Sequence, residues 1–519
     1  MEKPLHWTDR VVEKLLRRGN EHVIETGTSI SGIPHIGNAS DVIRGDAIRK
    51  VLEEKNSRVK FIWVADDSDP FRRVPGGMES LRDYLGFPVH DIPDPFGCHN
   101  NFVEHFVEKF LSELKEFGVE PRAYSSTELY RSGELYDEIK IALRNSEKIR
   151  EILNEFRKEP LPREFVPWQP ICENCGRIST PRVYSVDDDI VCYKCEDTEV
   201  SDGRVRGCGF KGESDIREGR GKLIWRVEWA ARWSHFRVTC EPLGKEHASA
   251  GGSFWTSKRI CKEIYNWEPP LPVIYEFFTL NKEKISSSKG NVITLSDWLK
   301  ICEPEVLKFF MYKKLQKQRD INLRKIPNLV DEYDLAERIY FGLENDSYEM
   351  KRMYELSQIN EPRSLQVPFT LCAVLSQIVE DLNINYIVKR LKRLGYDKFD
   401  LGRLKRRLIA AKNWNDLYGP DYLKFKLISP EEAMKIKKNL SEKQRIGLRR
   451  IYMELEKEKG IDAKTLHKRI YEISREIGLK PELLFDAIYL VLIGKKRGPR
   501  AALFLLGIDR KIIRERFFC

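Results

Sequence analysis

Hydrophobic positions near the start of the chain predict two strands with a helix between them. The runs HVIETG, 22–27, and VKFIWVADD, 59–67, are short and apolar almost throughout, as buried strands are. Strand, helix and strand in this order indicate a βαβ unit in a parallel sheet, whose ligands bind beyond the carboxyl ends of the strands. The loop 28–34 and the start of the next helix should lie there. The residues that share one face of the helix are Ile43, Ala47, Ile48, Val51 and Leu52.

Later stretches extend this picture along the chain. An amphipathic helix is predicted at 101–118, and the segments 221–230 and 271–280 look like strands that return to the sheet. Beyond about residue 325 the apolar spacing is helical to the end, as at Leu329 and Tyr333. The pattern therefore predicts an α/β fold, with a parallel-sheet domain followed by an all-α C-terminal domain.

Five of the eleven cysteines cluster in the segment 170–215, which is predicted to be a small module inserted in the sheet domain. Four thiolates at such spacing form a tetrahedral zinc site, and that site is structural because no ligand position stays open. A glycine follows two of the cysteines, at Gly176 and Gly209, which suits a tight metal-binding turn. The predicted ligands are Cys172, Cys175, Cys195 and Cys208, with Cys192 as the alternate.

Composition and charge narrow the class of protein. The 519 residues are 41% hydrophobic and 33% charged, with a net charge of +10, which fits a globular protein with a polyanionic partner. The charged start and the lack of a long apolar run predict no signal peptide, no membrane partner and a cytoplasmic location. Two basic runs in the helical region are candidates for nucleic-acid backbone contacts: Lys405, Arg406, Arg407 and Lys412, and Lys495, Lys496, Arg497 and Arg500.

Two short stretches carry the candidate chemistry. PHIGN, 34–38, falls where the βαβ unit should bind a ligand, and its histidine at a helix start can donate to a phosphate. KISSSKGN, 284–291, follows the last predicted strand and combines small hydroxyls, two lysines and a glycine. Such a loop suits an anion with several oxygens, a polyphosphate above all.

Together the two stretches resemble the HIGH and KMSKS signatures of class I aminoacyl-tRNA synthetases, in the same order and about 250 residues apart. Asn38 stands for the second histidine and Ser287 for the second lysine, so Lys289 is the candidate for that lysine's work. ADDSDPFRRVP at 65–75, CENCGR at 172–177 and EPLGKEHASAGGS at 241–253 make the chain most similar to the class I lysyl-tRNA synthetases found mainly in archaea.

This resemblance implies the site residues and the partners, with ATP, L-lysine and tRNA(Lys) as substrates and Mg²⁺ accompanying ATP. No DNA partner is expected. The implied catalytic residues are His35, Asn38, Lys284 and Lys289. The implied ATP-binding residues are these four with Pro34, Gly37, Gly251, Gly252, Ser286, Ser287 and Ser288. The implied lysine-binding residues are Gly27, Ser29, Trp225, His247 and Tyr275. A second zinc site is implied at Asp94, Cys98, His99 and His105.

Pattern and resemblance together predict a Rossmann-like catalytic domain with a zinc-binding insertion and a helical anticodon-binding domain. Asp66 and Asp67 end the second strand and are expected to face the site, while Glu25 and Glu228 are carboxylates near the predicted lysine pocket. The alternative is a class I synthetase for another amino acid such as glutamate. The pocket of such an enzyme would need an arginine dedicated to binding the substrate's side-chain carboxylate. The predicted boundaries are 1–91 with 216–280 for the catalytic domain, 92–215 for the insertion, 281–350 for the KMSKS loop and stem-contact region, and 351–519 for the anticodon-binding domain.

Overall fold

A computed structural model of the chain describes residues 5–285, 291–379, 382–457 and 461–518. The helices are α1 (Trp7–Leu16), α2 (Ala39–Glu54), α3 (Phe102–Glu116), α4 (Ser126–Arg131), α5 (Tyr136–Arg144), α6 (Ser146–Asn154), α7 (Trp225–His235), α8 (Ser253–Glu263), α9 (Leu295–Ile301), α10 (Pro304–Met311), α11 (Ile326–Tyr340), α12 (Tyr348–Ser357), α13 (Phe369–Ile378), α14 (Ile384–Arg393), α15 (Leu401–Tyr418), α16 (Pro430–Lys438), α17 (Glu442–Lys457), α18 (Ala463–Glu476), α19 (Pro481–Ile493), α20 (Ala501–Gly507) and α21 (Arg510–Phe517).

The strands are β1 (Glu21–Ser29), β2 (Arg58–Asp66), β3 (Arg122–Ser125), β4 (Trp168–Pro170), β5 (Pro181–Asp187), β6 (Ile190–Cys195), β7 (Thr198–Val200), β8 (Gly203–Val205), β9 (Lys211–Asp215), β10 (Gly221–Leu223), β11 (Cys240–Gly244), β12 (Leu271–Tyr275), β13 (Phe278–Leu280), β14 (Glu283–Lys284) and β15 (Arg319–Ile321). The chain divides into two compact units. One comprises Met1–Ser296 and Lys308–Ile321, and the other comprises Asp297–Leu307 and Asn322–Cys519.

The first unit is built on a five-stranded parallel sheet in the order β12-β11-β1-β2-β3. The predicted βαβ unit is confirmed as β1, α2 and β2, with Gly27 opposite Val64 and Ser29 opposite Asp66. All five apolar residues predicted for one face of α2 are fully buried. The sheet therefore brings the carboxyl ends of β1, β2, β11 and β12 to one edge, where a ligand site is expected.

Two features of the first unit differ from the sequence pattern. The prediction of a strand over 221–230 was wrong, because β10 ends at Leu223 and α7 begins at Trp225. The tryptophans of α7 recur every four residues, as on one face of a helix. Because much of the helix is buried, other positions are apolar as well, and such a run resembles a buried strand in sequence. In addition, β3 pairs with β2 in the main sheet, although it comes from the segment 92–215. The segment 271–280 supplies β12 to the main sheet and β13 to a separate three-stranded sheet.

The cysteine-rich segment forms a small antiparallel module. Its sheet has the order β5-β6-β9, and β7 and β8 form a separate hairpin. The small core of this module consists of Cys172, Cys195 and Tyr193, with Phe210 packed against it. So few apolar residues stabilise a domain poorly, which is the usual reason that small modules contain a metal.

The second unit is helical, as the sequence predicts, and the helices α13 and α16–α21 contribute to its apolar core. An ion-pair network lies inside this unit, where the guanidinium of Arg407 is 2.8 Å from both oxygens of Asp334 and 3.1 Å from Glu303. Arg407 is completely buried. Its place among the candidate nucleic-acid contacts was therefore wrong, whereas Lys405, Arg406 and Lys412 are exposed. Within the described residues, no helix has the length and apolarity needed to span a lipid bilayer.

Candidate active site

PHIGN forms the end of the loop that connects β1 to α2, and hydrogen bonds within this stretch hold its side chains in place. The backbone N–H of His35 donates to Asn38 Oδ1 at 3.0 Å, and the N–H of Gly37 donates to His35 Nδ1 at 3.0 Å. Because Nδ1 accepts a hydrogen bond, the ring proton of a neutral imidazole lies on Nε2. Burial lowers the pKa of His35 to about 4. At neutral pH His35 is therefore an uncharged hydrogen-bond donor.

The glycine of this motif is required by the conformation of the turn. A Cβ on Gly37 would lie 2.7 Å from Cε1 of His35, which no ordinary packing allows. The glycine is thus needed for the imidazole to fold back over the turn. His35, Gly37 and Asn38 all line the cavity described below, whereas Pro34 does not.

The second signature starts beside the first. The N–H of Ile36 donates to the carbonyl of Ile293 at 3.0 Å, which joins PHIGN to the chain just after KISSSKGN. Asn291 Nδ2 donates to Glu283 Oε2 at 3.3 Å and to the carbonyl of Lys284 at 3.4 Å, so the two ends of the stretch are close together. Four predicted ATP-binding residues lie outside the described residues: Ser286, Ser287, Ser288 and Lys289.

A cavity of about 460 Å³ opens at the carboxyl edge of the sheet. It brings together all five residues implied for lysine and three of those implied for catalysis. The side chains of Trp225 and Trp229 stack with ring centroids 5.0 Å apart on one wall. The lining residues that the sequence analysis named are Gly27, Ser29, His35, Gly37, Asn38, Asp66, Trp225, His247, Tyr275 and Lys284.

Other candidates lie elsewhere. Asp67 points to the opposite side of β2 from Asp66, and it accepts hydrogen bonds from Ser125, Ser126 and the N–H of Thr127. It joins β2 to the start of α4 and does not line the cavity. Neither Gly251 nor Gly252 lines it. A Cβ on Gly252 would lie 2.4 Å from the carbonyl oxygen of His247, so this glycine serves the turn before α8.

Several charged residues of the cavity were not assigned by the sequence analysis, although some stand in the stretches that carried the resemblance. The phenol of Tyr275 donates a short hydrogen bond to Asp41, and removal from water raises the pKa of this carboxyl to about 8. Arg232 donates to Asp66 at 2.5 Å. The acidic residues on the lining are Asp41, Asp66, Asp69, Glu241 and Glu246, and the basic ones are Arg72, Arg232 and Lys284. Acids thus outnumber bases in a site whose two histidines both have lowered pKa values.

The cysteine module brings together the four predicted thiolates. Cys172 Sγ lies 3.6 Å from Cys208 Sγ, and Cys175 Sγ lies 3.7 Å from Cys195 Sγ. Thiolates at about 2.3 Å from a tetrahedral zinc are roughly 3.8 Å apart, so the spacing fits this metal. Gly176 and Gly209 both have positive φ angles, as tight turns after ligands require. Cys192 belongs to the middle of β6, outside the cluster. This set of residues could hold a metal ion.

The second predicted cluster also converges. Asp94, Cys98, His99 and His105 place one ligand atom each within 4.8 Å of one another. Cys98 Sγ lies 3.1 Å from His99 Nδ1 and 3.2 Å from His105 Nδ1. His99 Nε2 is 3.0 Å from Glu108, the kind of outer carboxylate that orients a metal-bound imidazole. Two imidazoles, a thiol and a carboxylate form a donor set that suits zinc.

The site and the parallel sheet define the class I aminoacyl-tRNA synthetase type of enzyme, and comparison with known proteins places the chain within it. Residues 5–360 match the family model described as tRNA synthetases class I (K). The chain is 39% identical to a lysine–tRNA ligase of Methanocaldococcus jannaschii and 38% identical to one of Methanosphaera stadtmanae. Each match covers 99% of both chains. The chain therefore belongs to the class I (K) family of tRNA synthetases.

Solved structures give a more distant match. A glutamate tRNA ligase from Elizabethkingia meningosepticum, in complex with its amino acid, is 13% identical over 96% of this chain and 98% of its own, with a TM-score of 0.40.

Proposed function

We propose that the chain activates L-lysine with ATP and transfers the lysyl group to the 3′ end of tRNA(Lys). Two observations support this. The relatives that match along their full length are named lysine–tRNA ligase. The cavity between PHIGN and Lys284 has an acidic lining and an aromatic wall, which together suit a cationic amino acid.

In this proposal the first step is nucleophilic attack by the lysine carboxylate on the α-phosphorus of ATP, with loss of pyrophosphate. His35 donates its Nε2 proton to a phosphate oxygen as a neutral group, and Asn38 holds the turn that positions it. Lys284 and Lys289 stabilise the negative charge that develops on the phosphates. No side chain acts as a nucleophile, so the enzyme contributes position and charge.

Substrate lysine lies against Trp225, with Gly27 and Ser29 at the end of β1 and with His247 and Tyr275 around it. A Cβ on Gly27 would lie 3.3 Å from the carbonyl oxygen of Val64 and 3.7 Å from the Arg232 guanidinium, so a larger residue would fill this edge of the cavity. Gly251 and Gly252 remain the proposed approach for the adenosine, close to the cavity rim. Pro34 completes the ATP-binding turn.

The two side-chain clusters are proposed zinc sites with structural roles. Cys172, Cys175, Cys195 and Cys208 would hold one ion and replace the apolar core that their module lacks. Asp94, Cys98, His99 and His105 would hold the second, which ties the loop before α3 to that helix. Magnesium is proposed to accompany ATP and to neutralise phosphate charge during the reaction.

The proposed domains follow the boundaries given above, with one refinement from β3. The segments 1–91 and 216–280 are catalytic, 92–215 contains the zinc-binding insertion but returns β3 to the catalytic sheet, 281–350 contacts the tRNA stem, and 351–519 binds the anticodon. The cytoplasm is the proposed location, and DNA and membranes are not proposed partners.

The alternative, a synthetase for glutamate, would need a basic group that binds the substrate carboxylate. Arg232 is engaged by Glu25 at 3.1 Å and by Asp66 at 2.5 Å, and it is buried. Arg72 is the other arginine on the lining, and it is exposed. A buried arginine that is already paired with two carboxylates favours lysine over glutamate.

The test is charging of total tRNA by the purified protein with ATP and magnesium, with each standard amino acid offered separately. We expect lysine alone to be attached. If a different amino acid were attached, the proposed mechanism would stand and the assignment of lysine as the substrate would be rejected. Absence of charging by every amino acid, in protein that contains zinc, would reject the proposed function.

A further inference from the structure

Carboxyl groups outnumber cations beneath the cavity. Two buried basic residues, Lys222 and Arg232, stand among five acidic ones. A buried carboxylate is costly unless a cation or several donors stabilise it, so each acid needs a partner. The five acids are Glu25, Asp66, Asp69, Glu228 and Glu241.

Four of these acids have their cation within the protein. Arg232 lies 3.1 Å from Glu25 and 2.5 Å from Asp66. Lys222 lies 2.7 Å from Glu228 and makes a still shorter contact with Asp69. The two bases are therefore fully used by four carboxylates.

Glu241 is the remaining acid, and it has a different kind of partner. The indole N–H of Trp229 donates to its two oxygens at 3.0 and 3.1 Å, and that of Trp233 donates at 2.5 Å. Within the described part of the chain, no basic side chain lies within 4.0 Å of it. Indole donors orient a carboxylate but bring no charge. Burial accordingly raises the pKa of Glu241 well above its usual range.

The position of Glu241 suits a ligand cation. It is 5% exposed, yet it lines the cavity together with the next three residues of β11. Trp225 and Trp229 stack with an interplanar angle of 19°, which gives a flat wall above it. Such a wall accommodates an alkyl stem and stabilises a nearby ammonium by cation–π attraction.

We propose that Glu241 is the specificity-determining residue that accepts the side-chain ammonium of substrate lysine. The proposal rests on the proposed lysine-charging function and refines it. The two tryptophans aim the carboxylate, and the substrate supplies the cation that the protein omits. An amino acid without a terminal ammonium would gain nothing from this carboxyl group, so the site would bind it more weakly than lysine.

The test compares lysine with norleucine, which has a similar alkyl chain and no ammonium, in tRNA charging by the full chain. In Glu241→Gln we expect the KM for lysine to rise about 100-fold, the range of a lost charge-assisted contact. The inhibition constant of norleucine and the KM for ATP should stay as in the wild type. A purely structural defect would weaken all three together.

The matched control is Glu228→Gln, which removes a carboxylate already paired with Lys222 and absent from the cavity lining. We expect the ratio between the lysine KM and the norleucine inhibition constant to keep its wild-type value there. In Glu241→Asp, which retains the charge on a shorter side chain, preference should shift from lysine toward homolysine, which is one methylene longer. This second variant tests the proposal even where the glutamine variant fails to fold.

Outcomes separate the two proposals. A wild-type protein that does not charge tRNA with lysine would reject the function itself. A wild-type protein that does so, with discrimination unchanged in Glu241→Gln or no shift toward homolysine in Glu241→Asp, would reject the role of Glu241 alone.

Discussion

At the scale of single residues, the imidazole of His35 shows how a local turn fixes the protonation state of a side chain. The Gly37 N–H donates a hydrogen bond to Nδ1, and burial makes a positive charge on the imidazole unfavourable. The proton is thereby kept on Nε2 of a residue that lines the cavity. The same turn explains why Gly37 carries no side chain, since a Cβ would collide with the ring.

The lowered pKa of His35 leads to a prediction about pH. With a pKa of about 4 the imidazole is neutral from pH 5 upward, so kcat/KM for ATP should not titrate near 6.5 through this residue. His35→Ala should lower kcat/KM about 100-fold through loss of a phosphate donor. His35→Asn, which retains a donor, should recover part of that loss. The measurement is the pH–rate profile of each variant.

His467→Ala is the control, because His467 is exposed on α18, and its profile should match the wild type. Stability provides a second check. The pKa of His35 in the folded protein lies below the usual value of 6.5, so the unfolded chain takes up the proton first. This contribution to stability is lost as pH falls from about 6.5 to about 4. A rate profile that titrates near 6.5 and loses this feature in His35→Asn would contradict the neutral role.

At the scale of elements, the cysteine module shows how strands and turns decide which cysteines come together. β6 and the turns at Gly176 and Gly209 bring four thiols together, while Cys192 lies in the middle of β6, outside the cluster. The sequence indicates the same four of the five candidates. It could do so because short Cys-x2-Cys spacing and a following glycine are local features, readable without the fold.

Cys172→Ser should reduce bound zinc by one ion per chain and unfold the module, since a structural zinc supplies much of the folding free energy of so small a core. Cys192→Ser is the matched control and should retain the wild-type zinc content. Metal content by mass spectrometry and thermal unfolding of both variants test this. Equal zinc loss in the two variants would mean that the ligand set is different.

Helix α7 shows the limit of pattern reading at this scale. Trp225, Trp229 and Trp233 share one face, and the aromatic wall of the cavity depends on that helical spacing. A strand, as the sequence suggested, would have placed alternate residues on opposite sides of a sheet. The apolar run was visible, but its period was ambiguous over so few residues.

At the scale of the whole molecule, the net charge of +10 fits binding to a polyanion. The sequence contains two basic runs that are candidates for nucleic-acid contacts. Arg407 belongs to the first run, and its burial excludes it from such a contact. Lys405 and Arg406 remain exposed on α15, where they are free to meet solvent.

The double variant Lys405→Ala/Arg406→Ala should raise the KM for tRNA several-fold and leave the KM values for lysine and ATP unchanged. Each lost phosphate contact should reduce the slope of log KM against log salt by about 0.7–0.9. The measurement is charging at several salt concentrations. Lys55→Ala/Arg58→Ala removes the same charge beside the amino end of β2 and is the control. Equal effects of both pairs would indicate a general charge effect without contacts on α15.

The sequence by itself determined the features that depend on neighbours along the chain: the βαβ unit, the PHIGN turn at its carboxyl edge, the set of four clustered cysteines and the helical second unit. Only the tertiary structure decided which distant groups meet. Arg232 and Asp66 are 166 positions apart, and their pairing leaves Glu241 without a cation. Periodicity reports which face of an element is buried, whereas charge pairing depends on which elements pack together, and no local pattern encodes that.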